Sequence, residues 1–308
     1  MAGIVRGGTF PVLPTIFRAD GSIDEVGCVA VADFVLACGV DGIAFPGLAS
    51  EYDHLTRDER LALVSAFGRV AQERGAALIV GGSAAEEAET MTMLEAAREA
   101  GAAAAMVMTP HRHDTDLNAH VAFYRRAAER GVPIMLQNAP RPMGVGLAPA
   151  QIRAIVAATP GVAFVKEETM PCGHGISALL ALRPASLRGV FGGAGGRYII
   201  DELGRGAIGT MPAAELPEIS VALIAAHRAG DVHQMRDLHE RMLPVLMMQA
   251  IFRWDLTKEV LRRRGLIRHG HVRAPGPRLD AVDHRELGAL LDRLAPLLTK
   301  SAAEKIQA

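Results

Sequence analysis

Residues 162–169 read VAFVKEET, an apolar run that ends on Lys166. The chain carries 33 Lys and Arg residues, yet its lysines are limited to Lys166, Lys258, Lys300 and Lys305. Arginine is the default cation here, so a lysine at the end of a buried run points to chemistry that arginine cannot perform. A neutral amine can attack a ketone and form a Schiff base, whereas a guanidinium does not deprotonate in proteins. Burial favours the neutral amine, by up to roughly 3–5 pH units in extreme cases. Alternation along a strand puts Phe164, Lys166 and Glu168 on one face and Val165 and Glu167 on the other. The plainer alternative is a lysine that pairs with Glu168 or closes the strand end. Two other stretches carry weaker signals. His111-Arg112-His113-Asp114 on one loop lacks a fourth ligand and helical His spacing, so no metal is expected. GGAGG at 192–196 lacks the lysine and hydroxyl of a phosphate loop, and no cofactor is expected from it.

These residues need a frame. Eight short apolar runs recur, at 8–16, 42–47, 77–82, 104–110, 133–140, 162–169, 189–195 and 206–213. Amphipathic stretches separate them, predicting helices at about 23–39, 56–73, 84–100, 117–130, 148–158, 174–184 and 197–204. Thr56 with Glu59 forms a capping box, and Ser22 or Asp24 can cap the first helix. Gly39, Gly75, Gly101 and Gly131 stand where helices should stop. Apolar runs alternating with helices predict parallel βαβ units. Eight of them close into a (β/α)8 barrel whose strands are buried on both faces. The expected domains are a catalytic barrel over 1–230 and a C-terminal helical region over 231–308 packed on it. The latter has the helical stretches 232–252, 254–265 and 284–298, with a Pro/Gly/Arg linker at 268–278. The Met-rich 242–252 stretch reads as helix packing, and residues 300–308 are expected to fray.

Composition narrows the function. Half of the 308 residues are hydrophobic and the formal net charge is −1, with no long basic block, so neither nucleic acid nor an anionic membrane surface is an expected partner. The N-terminal stretch has no signal-like apolar segment. Three cysteines, Cys28, Cys38 and Cys172, show no metal spacing and fit free thiols in a reducing cytoplasm.

Several ordered motifs then resemble the dihydrodipicolinate synthase / N-acetylneuraminate lyase family of Schiff-base aldolases. They are DGSID (20–24), GLASE (47–51) with LTRDER (55–60), MTPH (108–111), QNAP (137–140) with Gly144, VKEE (165–168) and GAIGTMPA (206–213), together spanning about 8–230. The resemblance implies that Lys166 forms the Schiff base and that the substrate is a small 2-keto acid. It places a pyruvyl carboxylate on the backbone of Gly47, Leu48, Ala49 and Ser50, since N–H groups at such a turn bind anions whatever the side chains are. It also implies that Gly193 and Met211 line the pocket and that the chain forms a homodimer or homotetramer.

The departures are informative. Gln137 stands at the motif tyrosine; an amide can orient a carboxylate or hydroxyl but is no general acid or base near neutral pH. Leu48 and Ala49 replace the usual hydroxyl pair, leaving Ser50 as the nearest hydroxyl. His111 and Arg112 replace an aromatic pair. Glu168 is then the first candidate for proton transfer, with burial expected to raise its carboxyl toward the working range. His111 is second, because an imidazole titrates naturally near ~6.5. Arg112 and Arg141 could clamp a distal carboxylate or polyhydroxy chain, a solvated role being equally open to Arg141. The expected activity is cleavage or dehydration of a 2-keto-3-deoxy acid, or joining of pyruvate to an aldehyde. The alternatives are a condensing enzyme like dihydrodipicolinate synthase and a retired barrel that only binds keto acids.

Overall fold

The computed structural model describes residues 3–181 and 183–299. The tail expected to fray, 300–308, and Leu182, inside the expected 174–184 helix, lie outside them. Eight strands form the centre: β1 Gly8–Thr9, β2 Gly42–Phe45, β3 Ala77–Gly81, β4 Ala104–Met108, β5 Ile134–Asn138, β6 Val162–Glu167, β7 Gly189–Phe191 and β8 Gly209–Thr210. All pairings are parallel, in the order β1-β8-β7-β6-β5-β4-β3-β2. Val12 bridges both Ala44 and Ala213, bringing the β1 side against β2. The fold is the expected (β/α)8 barrel, with strands shorter than their apolar runs. Proline is the reason in the first and last strands of the chain: Pro11 follows β1 and Pro212 follows β8, and neither can donate to a ladder.

The helices follow the sequence closely. They are α1 Glu25–Ala37, α2 Arg57–Glu73, α3 Glu87–Glu99, α4 Leu117–Ala128, α5 Pro149–Ala158, α6 Cys172–Ala181, α7 Ile199–Gly204 and α8 Pro217–Ala229, then α9 Val232–Arg263 and α10 Ala281–Leu294. Asp24, not Ser22, caps α1 by accepting from the Gly27 N–H at 3.1 Å. The Thr56–Glu59 box closes α2 with reciprocal bonds of 2.9 and 3.2 Å. Gly39, Gly75, Gly101 and Gly131 all turn the chain at left-handed φ, as a glycine stop requires.

Three apolar layers set the site's height and surroundings. Inside the barrel, Phe10, Phe164 and Phe191 meet edge to face, with centroids 5.6 and 6.2 Å apart, and fill the space below Lys166. Val80, Val107, Leu136 and Val165 point outward against the helices. A third cluster joins α7 and α8 to α9 and α10 through residues such as Leu203, Leu223, Val245 and Leu287. The two helical stretches expected at 232–252 and 254–265 are one helix, α9, broken at the residue between them. Arg253 has φ 45° and ψ −112°. That break brings α9 over the mouth of the barrel.

Candidate active site

Lys166 occupies the penultimate position of β6 and pairs in register with Gln137 of β5. Both point inward above Phe164, into a cavity of about 180 Å³ at the C-terminal end of the strands. The neighbouring pair, Asn138 and Glu167, points the other way. Asn138 donates to Glu167 Oε2 at 2.8 Å and accepts from the Leu147 N–H at 2.9 Å, so it ties down the loop after β5. The alternation anticipated along VAFVKEET therefore sorts its polar residues into a cavity set and a bracing set.

Glu168 lies just past β6 and faces the cavity. Its Oε1 is 3.1 Å from Lys166 Nζ, and both side chains are about nine-tenths buried, at 7% and 10% exposure. Gln137 Nε2 donates to Oε2 at 2.6 Å, and the Ala194 N–H donates to Oε1 at 3.3 Å. Burial alone would raise this carboxyl, but the Lys166 charge and the donors from Gln137, Lys166 and Ala194 outweigh it and hold it below the usual range. This corrects the expectation of a raised value. At neutral pH Glu168 is a carboxylate and a proton acceptor.

A tight backbone supports that carboxylate. A Cβ on Gly193 would collide with the Glu168 side chain, and one on Gly192 would collide with Glu202 of α7. The 192–194 segment thus threads between two buried carboxyls and needs glycine for the approach. Glu202 Oε1 accepts the Gly193 N–H at 3.2 Å, while its Oε2 is buried without a partner among the described residues. Burial pushes Glu202 up to about 7.

Opposite Lys166 is the short turn of residues 48–50. Leu48 and Ala49 line the cavity together with Gly47 and Met211, and the first N–H groups of such a turn have no acceptor within it. Ser50 does not line the cavity. Its hydroxyl accepts from the Gly47 N–H at 3.0 Å and donates to the Leu13 carbonyl at 2.5 Å, so it is spent on shaping the turn.

His111 and Arg112 lie elsewhere. They border a separate cleft of about 690 Å³ that shares only Leu48, Met143, Arg253 and Trp254 with the Lys166 cavity. His111 Nε2 contacts the Met143 carbonyl at 3.1 Å, and Arg112 is held by the Ala85 carbonyl and Glu87. Arg141 pairs with Asp114 at the surface. Sequence reading expected these residues at the catalytic end of the barrel; they lie at that end but do not line the Lys166 cavity. Among the described residues no group of three or more His, Cys, Asp or Glu is placed to hold a metal ion.

What the sequence reading missed comes from α9 and the turn before α7. Arg197, Gln249, Arg253 and Trp254 line the cavity. Trp254 Nε1 donates to the Leu48 carbonyl at 2.6 Å, and one turn on, Lys258 Nζ pairs with Glu51 at 2.5 Å, both fully buried. The available signal was the chain's lone tryptophan, in a stretch read only as helix; a buried indole N–H usually finds an acceptor.

Comparison with known proteins agrees with the fold and shows the family. The profile of the dihydrodipicolinate synthetase family matches residues 6–294. A 4-hydroxy-tetrahydrodipicolinate synthase of Salinibacter ruber is 31% identical over 256 residues, 80% of each chain. The L-2-keto-3-deoxyarabonate dehydratase of Azospirillum brasilense is 27% identical over 301 residues, 96% of each chain. The crystal structure of dihydrodipicolinate synthase from Rhodopseudomonas palustris superposes with a TM-score of 0.84 at 28% identity, covering 96% of this chain and all of the other.

Proposed function

The chain belongs to the dihydrodipicolinate synthetase family, and on that premise we propose that it is a Schiff-base lyase that cleaves or dehydrates a 2-keto-3-deoxy acid. One observation carries the reading: Lys166 Nζ lies 3.1 Å from an ionised, buried Glu168 in a cavity at the catalytic end of the barrel. The carboxylate of the keto acid sits on the free N–H groups at Leu48 and Ala49. Its carbonyl carbon then faces Lys166, which passes a proton to Glu168 and attacks. Glu168 returns that proton to the carbinolamine hydroxyl, which leaves as water and gives the iminium. Its positive charge stands where the ammonium stood, so the partner Glu168 needs is preserved.

From there Glu168 acts first as a base on either route. In dehydration it takes a C3 proton, the enamine forms, and the same carboxyl returns the proton to the departing C4 hydroxyl, which leaves as water. In cleavage it takes the C4 hydroxyl proton, the C3–C4 bond breaks to release an aldehyde, and the carboxyl then protonates the enamine at C3. Hydrolysis frees Lys166 in both cases. Gln137 cannot exchange protons and orients the carboxylate instead. A family tyrosine standing where Gln137 stands would do that proton work itself, so Glu168 takes the task over here.

The same reading makes the protein a cytoplasmic homo-oligomer. Free cysteines support the location, and exposed Met247 and Ile251, four residues apart on α9, offer an apolar strip for a second copy. No helix of the described residues is long and apolar enough to cross a membrane. The deciding experiment incubates the protein with pyruvate and borohydride and maps the adduct, followed by a panel of 2-keto-3-deoxy acids assayed for pyruvate release and for loss of water. A three-carbon adduct on Lys166 is expected. Absence of any adduct across the panel would sink the proposal.

A further inference from the structure

The upper part of the cavity holds charge that the Schiff-base chemistry does not use. Four charged side chains line it: Lys166, Glu168, Arg197 and Arg253. The first two neutralise each other. The two arginines do not have carboxylate partners, for among the described residues none lies within 4.0 Å of either guanidinium. Other arginines near these clefts behave differently: Arg60 holds Glu89, Arg112 holds Glu87, and Arg273 holds Glu59. Arg197 is placed by neutral acceptors only, the Gln249 Oε1 at 3.2 Å and the Leu246 carbonyl at 3.4 Å. Arg253 lies over the Trp254 ring, 5.7 Å from its centroid.

The backbone at Arg253 points the same way. A long side chain at φ 45° and ψ −112° inside a helix is a strained arrangement, and such outliers gather at ligand clamps, where the surrounding fold holds them in place. Here the break sets Arg253 and Trp254 at the mouth, one over the cavity and one on the Leu48 carbonyl. Arg197 is half-buried and Arg253 is exposed at the mouth, so a keto acid with a neutral polyhydroxy tail would cover the Arg197 guanidinium and leave its charge unmatched, which is costly once water is excluded.

We propose that Arg197 and Arg253 bind a second oxyanion at the far end of the substrate, so that this enzyme takes a 2-keto acid ending in a carboxylate or a phosphate. The inference rests on the Lys166 reading and narrows it from keto acids in general to dianionic ones. Arginine suits either terminus, because its planar fork matches carboxylate and phosphate oxygens in pairs.

The test measures borohydride trapping at Lys166 by intact mass, as a function of ligand concentration, on the full chain. The ligands are pyruvate, 2-oxopentanoate, 2-oxoglutarate, 2-oxoadipate and a 2-keto acid with a terminal phosphate. A charged tail should half-saturate at least about tenfold below the neutral tail of equal length. The better of the carboxylate and phosphate arms identifies the terminus. Arg197→Gln and Arg253→Gln should each erode that charged-to-neutral ratio by about tenfold. If pyruvate labels Lys166 but charged and neutral tails trap equally, the second-anion site is overturned and the lyase reading stands. If pyruvate gives no adduct, both fall. The wild-type panel decides the matter even if a variant fails to fold.

Discussion

Gln137 and Glu168 meet through a 2.6 Å hydrogen bond to Oε2, which leaves Oε1 for Lys166 at 3.1 Å. The amide and the ammonium thus divide the carboxylate between them, and the fold holds Glu168 ionised. Replacing Glu168 with glutamine keeps the shape and removes the proton acceptor. Glu168→Gln should still trap pyruvate on Lys166, more slowly, while turnover falls by roughly 10²–10⁴. Single-turnover kinetics with a 2-keto-3-deoxy acid separate the two steps. Turnover within a few-fold of wild type would remove Glu168 from the proton transfer.

Gln137 should act through Glu168 rather than on substrate. Gln137→Leu deletes a donor to a buried carboxylate, so the charged form loses support and the Glu168 carboxyl rises. The acid limb of kcat/KM against pH should therefore move upward. An unmoved limb with a changed KM would mean that Gln137 touches the substrate directly.

Most of the frame was legible because its signals are local. Apolar runs, capping boxes and helix-ending glycines lie within a few residues of what they control, and strand alternation alone turns Lys166 inward. The site's electrostatics were not legible in the same way. Burial argued for a raised Glu168, but its donors come from Gln137 and Ala194, 31 and 26 residues away. Ser50 carries the right group for a ligand, yet it spends that group on Leu13, 37 residues distant. Arg253 and Trp254 reach the cavity only because α9 breaks between two stretches that each read as ordinary helix.

Two buried carboxyls make stability depend on pH in an unusual direction. Burial raises Glu202 and Glu215 from the ordinary 4.5 to about 7 each. Their folded-state values lie above the unfolded ones, so the stability they contribute is full below about 4.3 and is lost as pH rises to about 7. Each represents on the order of 3 kcal/mol at ~1.36 kcal/mol per pH unit. His113, His120 and His239, held below 6.5 by burial, act oppositely and lose stability as pH falls. Comparing variants isolates the carboxyls: Glu202→Gln and Glu215→Gln should each flatten the decline in urea midpoint between pH 5 and 8. Slopes equal to wild type in both variants would show that these groups titrate normally.

The bond from Trp254 to Leu48 and the pair of Lys258 with Glu51 make α9 the brace of the 48–51 turn. The two contacts bear on either end of residues 48–51 and should fail differently when cut. Lys258→Met strands Glu51 without its cation in a fully buried place, although the Ala274 N–H still donates to it at 2.7 Å. Breaking one half of such a pair costs roughly 3–5 kcal/mol. Combining it with Glu51→Gln should restore part of that loss, because the uncompensated charge is gone. Trp254→Phe keeps the ring and removes one neutral hydrogen bond, at about 0.5–1.5 kcal/mol. Its main effect belongs to binding: a loosened Leu48 carbonyl lets the turn shift, so KM for the keto acid should rise several-fold with kcat less affected. Urea denaturation and steady-state kinetics on the same preparations distinguish the cases. If Trp254→Phe lowered stability as much as Lys258→Met and left KM alone, α9 would be structural support for the barrel with no part in holding the turn.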